Sequence, residues 1–240
     1  MSFLADVPVL HGSLVRLEPL SVSHGADLAV AAEEDRGAYG FTVVPRAWEV
    51  ADYLRVHAER AQDGLLAPFA QIRQGDGRAV GVTAYWDPRF WPAGAEPPAG
   101  LCAIDIGWTW LAASAQRTGL NTEAKLLLMD YAFQTLGVVR VGFSTDARNE
   151  RSQRAIARLG AQFEGVLRHW SPSRRPGEEG QLRDSALFSV IAAEWPATRA
   201  ALRRRLTAQA AQLSRRGTDR GVHPGRSRRF HRVPLRSRPR

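Results

Sequence analysis

The stretch Gln116-Arg117-Thr118-Gly119-Leu120-Asn121-Thr122-Glu123-Ala124 joins an apolar, strand-like run from Cys102 to Leu111 to a helix-like run from Asn121 to Leu136. A strand that turns through a glycine into a helix start leaves several backbone N–H groups unpaired and aimed the same way. With the positive end of the helix dipole, those donors form a site for an anion, most often a phosphate. Gly119 has no Cβ and so permits close approach to that anion. Further on, Asn149 has the side chain of a helix N-cap and Gly160 is a natural helix stop. Other chemistry-bearing residues have plainer readings. Cys102, within a strand, reads as core packing. The six histidines show no ligand spacing, so no metal site is expected.

The elements that must hold this turn can be read from periodicity. Leu14 to Leu17 alternates like a strand, and helix-like stretches follow to about Glu34 and from Trp48 to about Gln62, the latter with Val50, Leu54 and Ala58 at helical spacing. Pro68 to Gln74 and Ala79 to Trp86 read as two strands joined by Gly75-Asp76-Gly77, a hairpin signal. Asp87 to Gly100, with four prolines, reads as an irregular loop. Val138 to Thr145 is a further strand, Asn149 to Leu159 a helix, and Gln162 to Trp170 with Leu182 to Ile191 an antiparallel pair. A last helix is expected from Trp195 to about Leu206. This order predicts one α/β domain over a mixed, mostly antiparallel twisted sheet flanked by helices.

Length and composition agree with that reading. A chain of 240 residues with 44% hydrophobic and 24% charged residues can bury one core of ordinary size. No apolar run approaches the roughly 20 residues that span a bilayer, so no membrane partner is expected. The first ten residues show no basic segment followed by an apolar stretch, the pattern of a signal peptide. The single cysteine excludes an internal disulfide framework and suits a reducing cytoplasm. The formal charge of +9 is unevenly placed: residues 207–240 hold ten arginines and one acid, and residues 1–206 are net neutral. The folded domain is therefore assigned to 1–206. The Arg-rich stretch 207–240, poor in large apolar residues, is expected to be a disordered tail, and nucleic acid enters as a partner only through that tail. Arginine occupies 32 positions and lysine one, Lys125.

Around the turn, the chain resembles the GCN5-related N-acetyltransferase superfamily, in particular its RimJ/RimL-like branch, over roughly residues 10 to 206. Gln116, Gly119 and Asn121 stand at the defining positions of that family's (Gln/Arg)-x-x-Gly-x-(Gly/Ala) loop, with Asn replacing the last small residue. Ile104-Asp105-Ile106-Gly107-Trp108 resembles the acid-Ile-Gly-aromatic strand of the branch, Thr122-Glu123-Ala124 its helix opening, and Asp130-Tyr131-Ala132-Phe133 a segment of the same helix. Asn149-x-x-Ser152, Leu159-Gly160, Glu164-Gly165 and Leu167-Arg168 resemble its closing motif.

The resemblance implies acetyl-CoA as cosubstrate, with its diphosphate cradled by Gln116, Arg117, Thr118, Gly119, Leu120 and Asn121. It also implies a pantetheine arm lying along the central strand at Trp110 and Leu111. Asn149 then has two readings, helix cap and pantetheine contact. The implied reaction is direct attack of a primary amine on the thioester. Deprotonating a lysine-like amine at pH 7 costs ~4.6 kcal/mol, an α-amine ~1.4 kcal/mol. Asp105 is the implied base and Ser152 the implied acid for the leaving thiolate, since the tyrosine many members carry is replaced by Ile156. Asp184 reads equally as a structural partner or a substrate contact. The acceptor is a protein N-terminal amine or a small-molecule amine, and a net-neutral body gives no support to a strongly acidic one. Dimers occur in the family. A non-catalytic CoA-binding module on the same fold is the alternative.

Overall fold

The structure, a computed structural model, describes residues 7–91 and 100–219. Eight strands form one sheet: β1 (Leu10–His11), β2 (Val15–Pro19), β3 (Leu66–Arg73), β4 (Ala79–Trp91), β5 (Gly100–Leu111), β6 (Arg140–Asp146), β7 (Gln162–Pro172) and β8 (Leu182–Ile191). Their order is β1-β2-β3-β4-β5-β6-β8-β7. Every neighbouring pair is antiparallel except β5 and β6, which run parallel. Parallel strands need a crossover, and here it is α3 (Leu120–Gln134). The other helices are α1 (Gly25–Glu33), α2 (Val50–Gln62), α4 (Glu150–Ala157) and α5 (Trp195–Asp219). The sequence-predicted mixed sheet with flanking helices is therefore the fold observed.

The core forms where strand alternation and helix faces meet. Val15, Leu17, Phe69, Val82, Ile104, Leu128 and Met129 are completely buried. One polar contact fixes the crossover helix. Glu123, in the first turn of α3, accepts from Ser13 N (3.0 Å), Ser13 Oγ (2.6 Å), Leu14 N (2.6 Å) and Val15 N (2.9 Å). A buried carboxylate with four donors is a strong tether, and it ties the start of α3 to β2. The Thr-Glu-Ala opening of this helix thus carries a structural acid.

Three boundaries differ from the sequence reading. Strand β4 continues to Trp91, where an irregular loop was expected from Asp87. Arg89, Phe90 and Trp91 pair with β5, and Pro88 falls in a register shift where its missing N–H costs no ladder bond. Residues 92–99 of that expected loop lie outside the described residues. Helix α5 runs to Asp219 rather than ending near Leu206. The stretch Thr207 to Arg216 is rich in Ala, Gln, Leu and Arg, all good helix formers, and that local propensity outweighed its low apolar content. Residues 220–240 of the expected tail lie outside the described residues. Finally, single 3-10 turns precede α1 and α2.

Candidate active site

The site begins where two strands part. β5 and β6 are paired only at Ala103↔Arg140, Ile104↔Val141 and Asp105↔Gly142, although β5 continues to Leu111 and β6 to Asp146. Beyond Asp105 the β6-facing edge of β5 is an open strand edge. On its other side β5 carries a bulge: Val82 pairs with Trp110 and Ala84 with Gly107, so Trp108 and Thr109 together face Thr83. Trp108 takes the positive φ (52°) that such an inserted residue can require. The bulge re-aims the strand's backbone and side chains just where the edge opens.

The strand then leads through a single 3-10 turn into the loop the sequence singles out. Arg117 (φ 62°) and Gly119 (φ 91°) are both left-handed, and Gly119 is the N-cap of α3. A Cβ at Gly119 would stand 2.9 Å from Gln209 Oε1 and 3.2 Å from Leu14 Cδ1, contacts that flexible side-chain tips could relieve, so it is the left-handed backbone that calls for glycine. Thr118 Oγ1 donates to Ala115 O (2.7 Å), and Gln116 Nε2 donates to Leu111 O (2.9 Å) while Gln116 Oε1 accepts from Arg151. The loop is thus braced by its side chains; Leu120 N donates to Thr118 Oγ1 (3.4 Å) and Glu123 N to Gly119 O (3.0 Å), which leaves the N–H groups of the cleft-lining Asn121 and Thr122 for a ligand. Asn121 lines the same cleft with a buried Oδ1 that has no partner in the protein. An unfilled acceptor beside a helix N-terminus fits a ligand that brings a donor, such as a hydroxyl or amide N–H, next to its phosphate groups.

Helix α4 forms the opposite wall. Asn149 caps it by accepting from Ser152 N (3.0 Å), which establishes the cap reading. The cap is positioned by Asp146, buried at the end of β6. Its carboxylate binds Arg148 (2.8 Å), which in turn binds Glu178 (2.8 Å). Asn149, Ser152 and Ile156 all line the cleft. The cleft measures about 1520 Å³, above the usual range for one small ligand, so it has room for two reactants. Its far end is aromatic and cationic. Trp86 and Trp170 line it, and Arg60 and Arg174 lie 4.9 and 5.2 Å from the ring of Trp108. Burial lowers the pKa of Arg174 and of Arg183.

Several predicted residues meet here and others do not. Trp110, Leu111, Gln116, Arg117, Gly119 and Asn121 line the cleft. Trp110 and Leu111, however, have their carbonyls engaged by Gln71 Nε2 (3.3 Å) and by Tyr39 Oη (3.1 Å) with Gln116. The open part of the edge therefore lies nearer the bulge. Thr118 and Leu120 shape the loop from behind it. Asp105 does not join the group. It is the last residue of β5 paired with β6, packs over Gly142, and binds Arg89. Burial pushes its carboxyl up to about 6, partly offset by Arg89. That value would suit a base, but the carboxyl is held by Arg89 and is not among the cleft-lining side chains. Asp184 accepts from His169 N (2.9 Å), a structural contact across the β7 bulge, and Cys102 is buried with its thiol on Arg89 O (3.0 Å).

The sequence reading missed Lys125. It is one and a half turns into α3 and only 5% exposed. Its Nζ donates to Thr83 Oγ1 and Thr109 Oγ1, each at 2.6 Å, and burial alone lowers its pKa to about 7. Lys125 and Thr109 line the cleft. The available signal was its singularity, one lysine among 32 arginines.

Comparison with known proteins gives a consistent answer. A profile of the acetyltransferase (GNAT) domain matches residues 15–162. The chain is similar to an uncharacterized N-acetyltransferase, YoaA, of Bacillus subtilis (strain 168), at 31% identity over 75 residues. That match covers 31% of this chain and 40% of the relative, so it spans well under half the relative's length. Among solved structures it is similar to a GCN5-related N-acetyltransferase from Brucella melitensis, with 30% identity, TM-score 0.68, and coverage of 82% and 85% of the two chains. It also shares the fold of Mycobacterium smegmatis RimJ, solved in complex with CoA-disulfide, at 20% identity, TM-score 0.65, and coverage of 86% and 96%.

Proposed function

The chain belongs to the acetyltransferase (GNAT) domain family, and from that premise we propose that it transfers an acetyl group from acetyl-CoA to a primary amine. One observation carries this reading. The open edge of β5 runs from the bulge at Trp108 and Thr109 towards a helix N-terminus capped by left-handed Gly119. That continuous track fits a diphosphate at one end and an extended arm along the strand. The bound thioester supplies an activated acyl carbon. First-turn N–H groups of α3, with Asn121 and Arg117, hold the diphosphate. The β5 edge orients the arm, and Asn149 contacts it from the α4 side while capping its own helix. Ser152 stands where it can hand a proton towards the leaving sulfur.

The acceptor can be narrowed. Two carboxylates line the cleft among the described residues, and both are ion-paired: Asp87 lies 3.6 Å from Arg89, and Glu150 lies 2.8 Å from Arg154. Both are solvent-exposed, and a cleft without a buried carboxylate to act as base favours an amine that loses its proton easily, so an α-amine at a cost of ~1.4 kcal/mol is preferred to a lysine-like amine at ~4.6 kcal/mol. This agrees with a RimJ/RimL-like protein N-terminus or a small α-amine. The acceptor mouth, with Arg60, Arg174 and Arg183, is locally cationic although the domain is net neutral. It favours an amine carrying a nearby anionic group.

The test is thiol release together with a mass increase of one acetyl group over a panel of α-amines, lysine-like amines and N-terminal peptides. Turnover with α-amines is expected to lead the panel. Acetyl-CoA binding with no turnover on any amine would favour a non-catalytic CoA-binding module. Absence of any acetyl-CoA-dependent thermal shift would overturn both readings.

A further inference from the structure

Lys125 is a buried amine in the cleft to which neither the fold nor the ligand track assigns a role. It occupies the side of β5 on which α3 packs, about 9 Å along the helix axis from Gly119 at 1.5 Å per residue. The arm of a ligand held at Gly119 must pass this point to reach the bulge. Lys125 Nζ reaches the bulge itself through Thr109 Oγ1 (2.6 Å), and Thr109 is the residue after left-handed Trp108. Thr83 and Thr109 also bond each other (2.9 Å), so the three side chains form one connected polar group, and Thr109 Oγ1 donates onward to Gly107 O (3.1 Å). The same cleft has Ile156 on its other wall, a side chain that carries no proton to give.

Resting on the acetyl-transfer reading above, we propose that Lys125 Nζ supplies, through Thr109 Oγ1, the proton taken up by the departing thiolate. The balance is simple. The acceptor nitrogen bonds to the acyl carbon, and the carbon–sulfur bond breaks with its electron pair on sulfur. Lys125 passes a proton to Thr109 Oγ1 as the Thr109 hydroxyl turns from Gly107 O (3.1 Å) and gives its own proton to sulfur. The surplus proton of the amine goes to water, and water recharges Nζ.

Residue choice supports the assignment. An arginine at this position would keep its proton at any working pH, whereas a buried lysine can release one. Every other strongly basic position in the chain is arginine. The surroundings do not hold the charge in place either. On α3 itself, Glu123 is bound to β2 and Asp130 to Arg199 of α5 (2.7 Å). From β4 come Thr83 and Tyr85, whose hydroxyl donates to Leu128 O and is raised well above its ordinary value by burial. From β5 come Thr109 and Asp105, the latter tied to Arg89. Asp146 of β6 is tied to Arg148, and the acids and bases of β2, Glu18 and Arg16, bind each other. With burial alone acting, Nζ titrates at about 7, below the ordinary pKa of about 8.5 for a thiol, so transfer to sulfur runs downhill.

Because Lys125 is the only lysine, protein labelled with ¹³Cε-lysine and carrying a lysine-free tag gives one lysine signal, which reads this amine without any turnover. The expected midpoint lies between pH 6 and 8; a midpoint above pH 9 would overturn the proposal. In the rate profile, kcat should fall on the alkaline side with the same midpoint. Lys125→Met and Lys125→Arg should both lose about tenfold in kcat at pH 7 and lack that alkaline limb, with acetyl-CoA affinity within twofold of the parent. Should Lys125→Arg keep kcat near the parent value, charge alone suffices, and should it keep the alkaline limb, another group titrates; either outcome removes the proton-donor role. Thr109→Val should repeat the loss and Thr109→Ser restore it, which keeps the test open if a Lys125 variant folds poorly. Failure of the acetylation reading looks different: no amine turns over in the parent protein while the lysine signal still titrates near neutrality, and the inference falls with that reading.

Discussion

The two halves of β5 are made from similar residues and have opposite fates. From Ala103 to Asp105 the strand is paired on both edges, and its side chains serve the core or, at Asp105, an ion pair beside β6. From Ile106 to Leu111 the β6 edge is open and the β4 edge is bulged. The comparison shows that chemistry here is assigned by pairing rather than by residue type. An acid in the closed half is occupied by Arg89, whereas hydroxyls in the open half reach a buried amine and a cleft. The change happens within one residue step, between Asp105 and Ile106.

The largest test of this contrast is at the end of the open half. Gly119→Val introduces a β-branched residue at φ 91° and places a Cβ against Gln209 and Leu14. A left-handed position disfavours such a residue strongly, so the loop must move and its N–H groups lose their common direction. We predict at least a hundredfold loss of acetyl-CoA affinity by calorimetry, with the far-UV circular dichroism spectrum retained. Affinity within threefold of the parent would show that the helix start is not the diphosphate site.

A smaller effect is expected on the α4 wall. Ser152 presents its backbone N–H to the Asn149 cap, so the cap survives loss of the hydroxyl. Ser152→Ala should lower kcat by about three- to fivefold, since a thiol of pKa about 8.5 leaves tolerably well unaided. Acetyl-CoA affinity should stay within twofold. Combined with Lys125→Met, the variant sorts the two proton sources. A double variant no slower than Lys125→Met removes Ser152 from the chemistry. Multiplicative losses mean that both walls contribute.

How much of this was legible beforehand follows the same division. The Gln116–Asn121 turn, the Asn149 cap and the strand and helix periods are local patterns, each set by a few neighbouring residues. The fold class followed from their order. The positions of Asp105 and Lys125 were not legible, because each depends on partners far along the chain. Arg89 meets Asp105 only through the β4–β5 register, and Thr83 meets Lys125 only because a bulge aligns them. The extension of α5 to Asp219 was a propensity signal masked by polar composition. Gln209, in that extension, donates weakly to Arg117 O (3.4 Å) and packs on Gly119, so part of the expected tail braces the loop.

The smallest predicted effect on activity belongs to the closed half. Asp105→Asn keeps the shape of the side chain and removes its charge. If pairing decides, kcat should change by less than threefold; a loss beyond tenfold would return the base role to Asp105. Stability gives an independent reading with a definite sign. Burial raises the folded carboxyl to about 6 from an ordinary value of 3.8, so between those pH values the folded state binds the proton more tightly than the unfolded chain. Folding stability from this group therefore declines as pH rises through that window, and the full penalty is present above about pH 6. The neutral amide in the Asp105→Asn variant would carry no such penalty. The melting temperature of Asp105→Asn relative to the parent should consequently rise from pH 4 to pH 7. A difference that stays flat or falls would mean that the Arg89 pair outweighs the cost of burying the carboxylate, and that the closed half holds its charge comfortably after all.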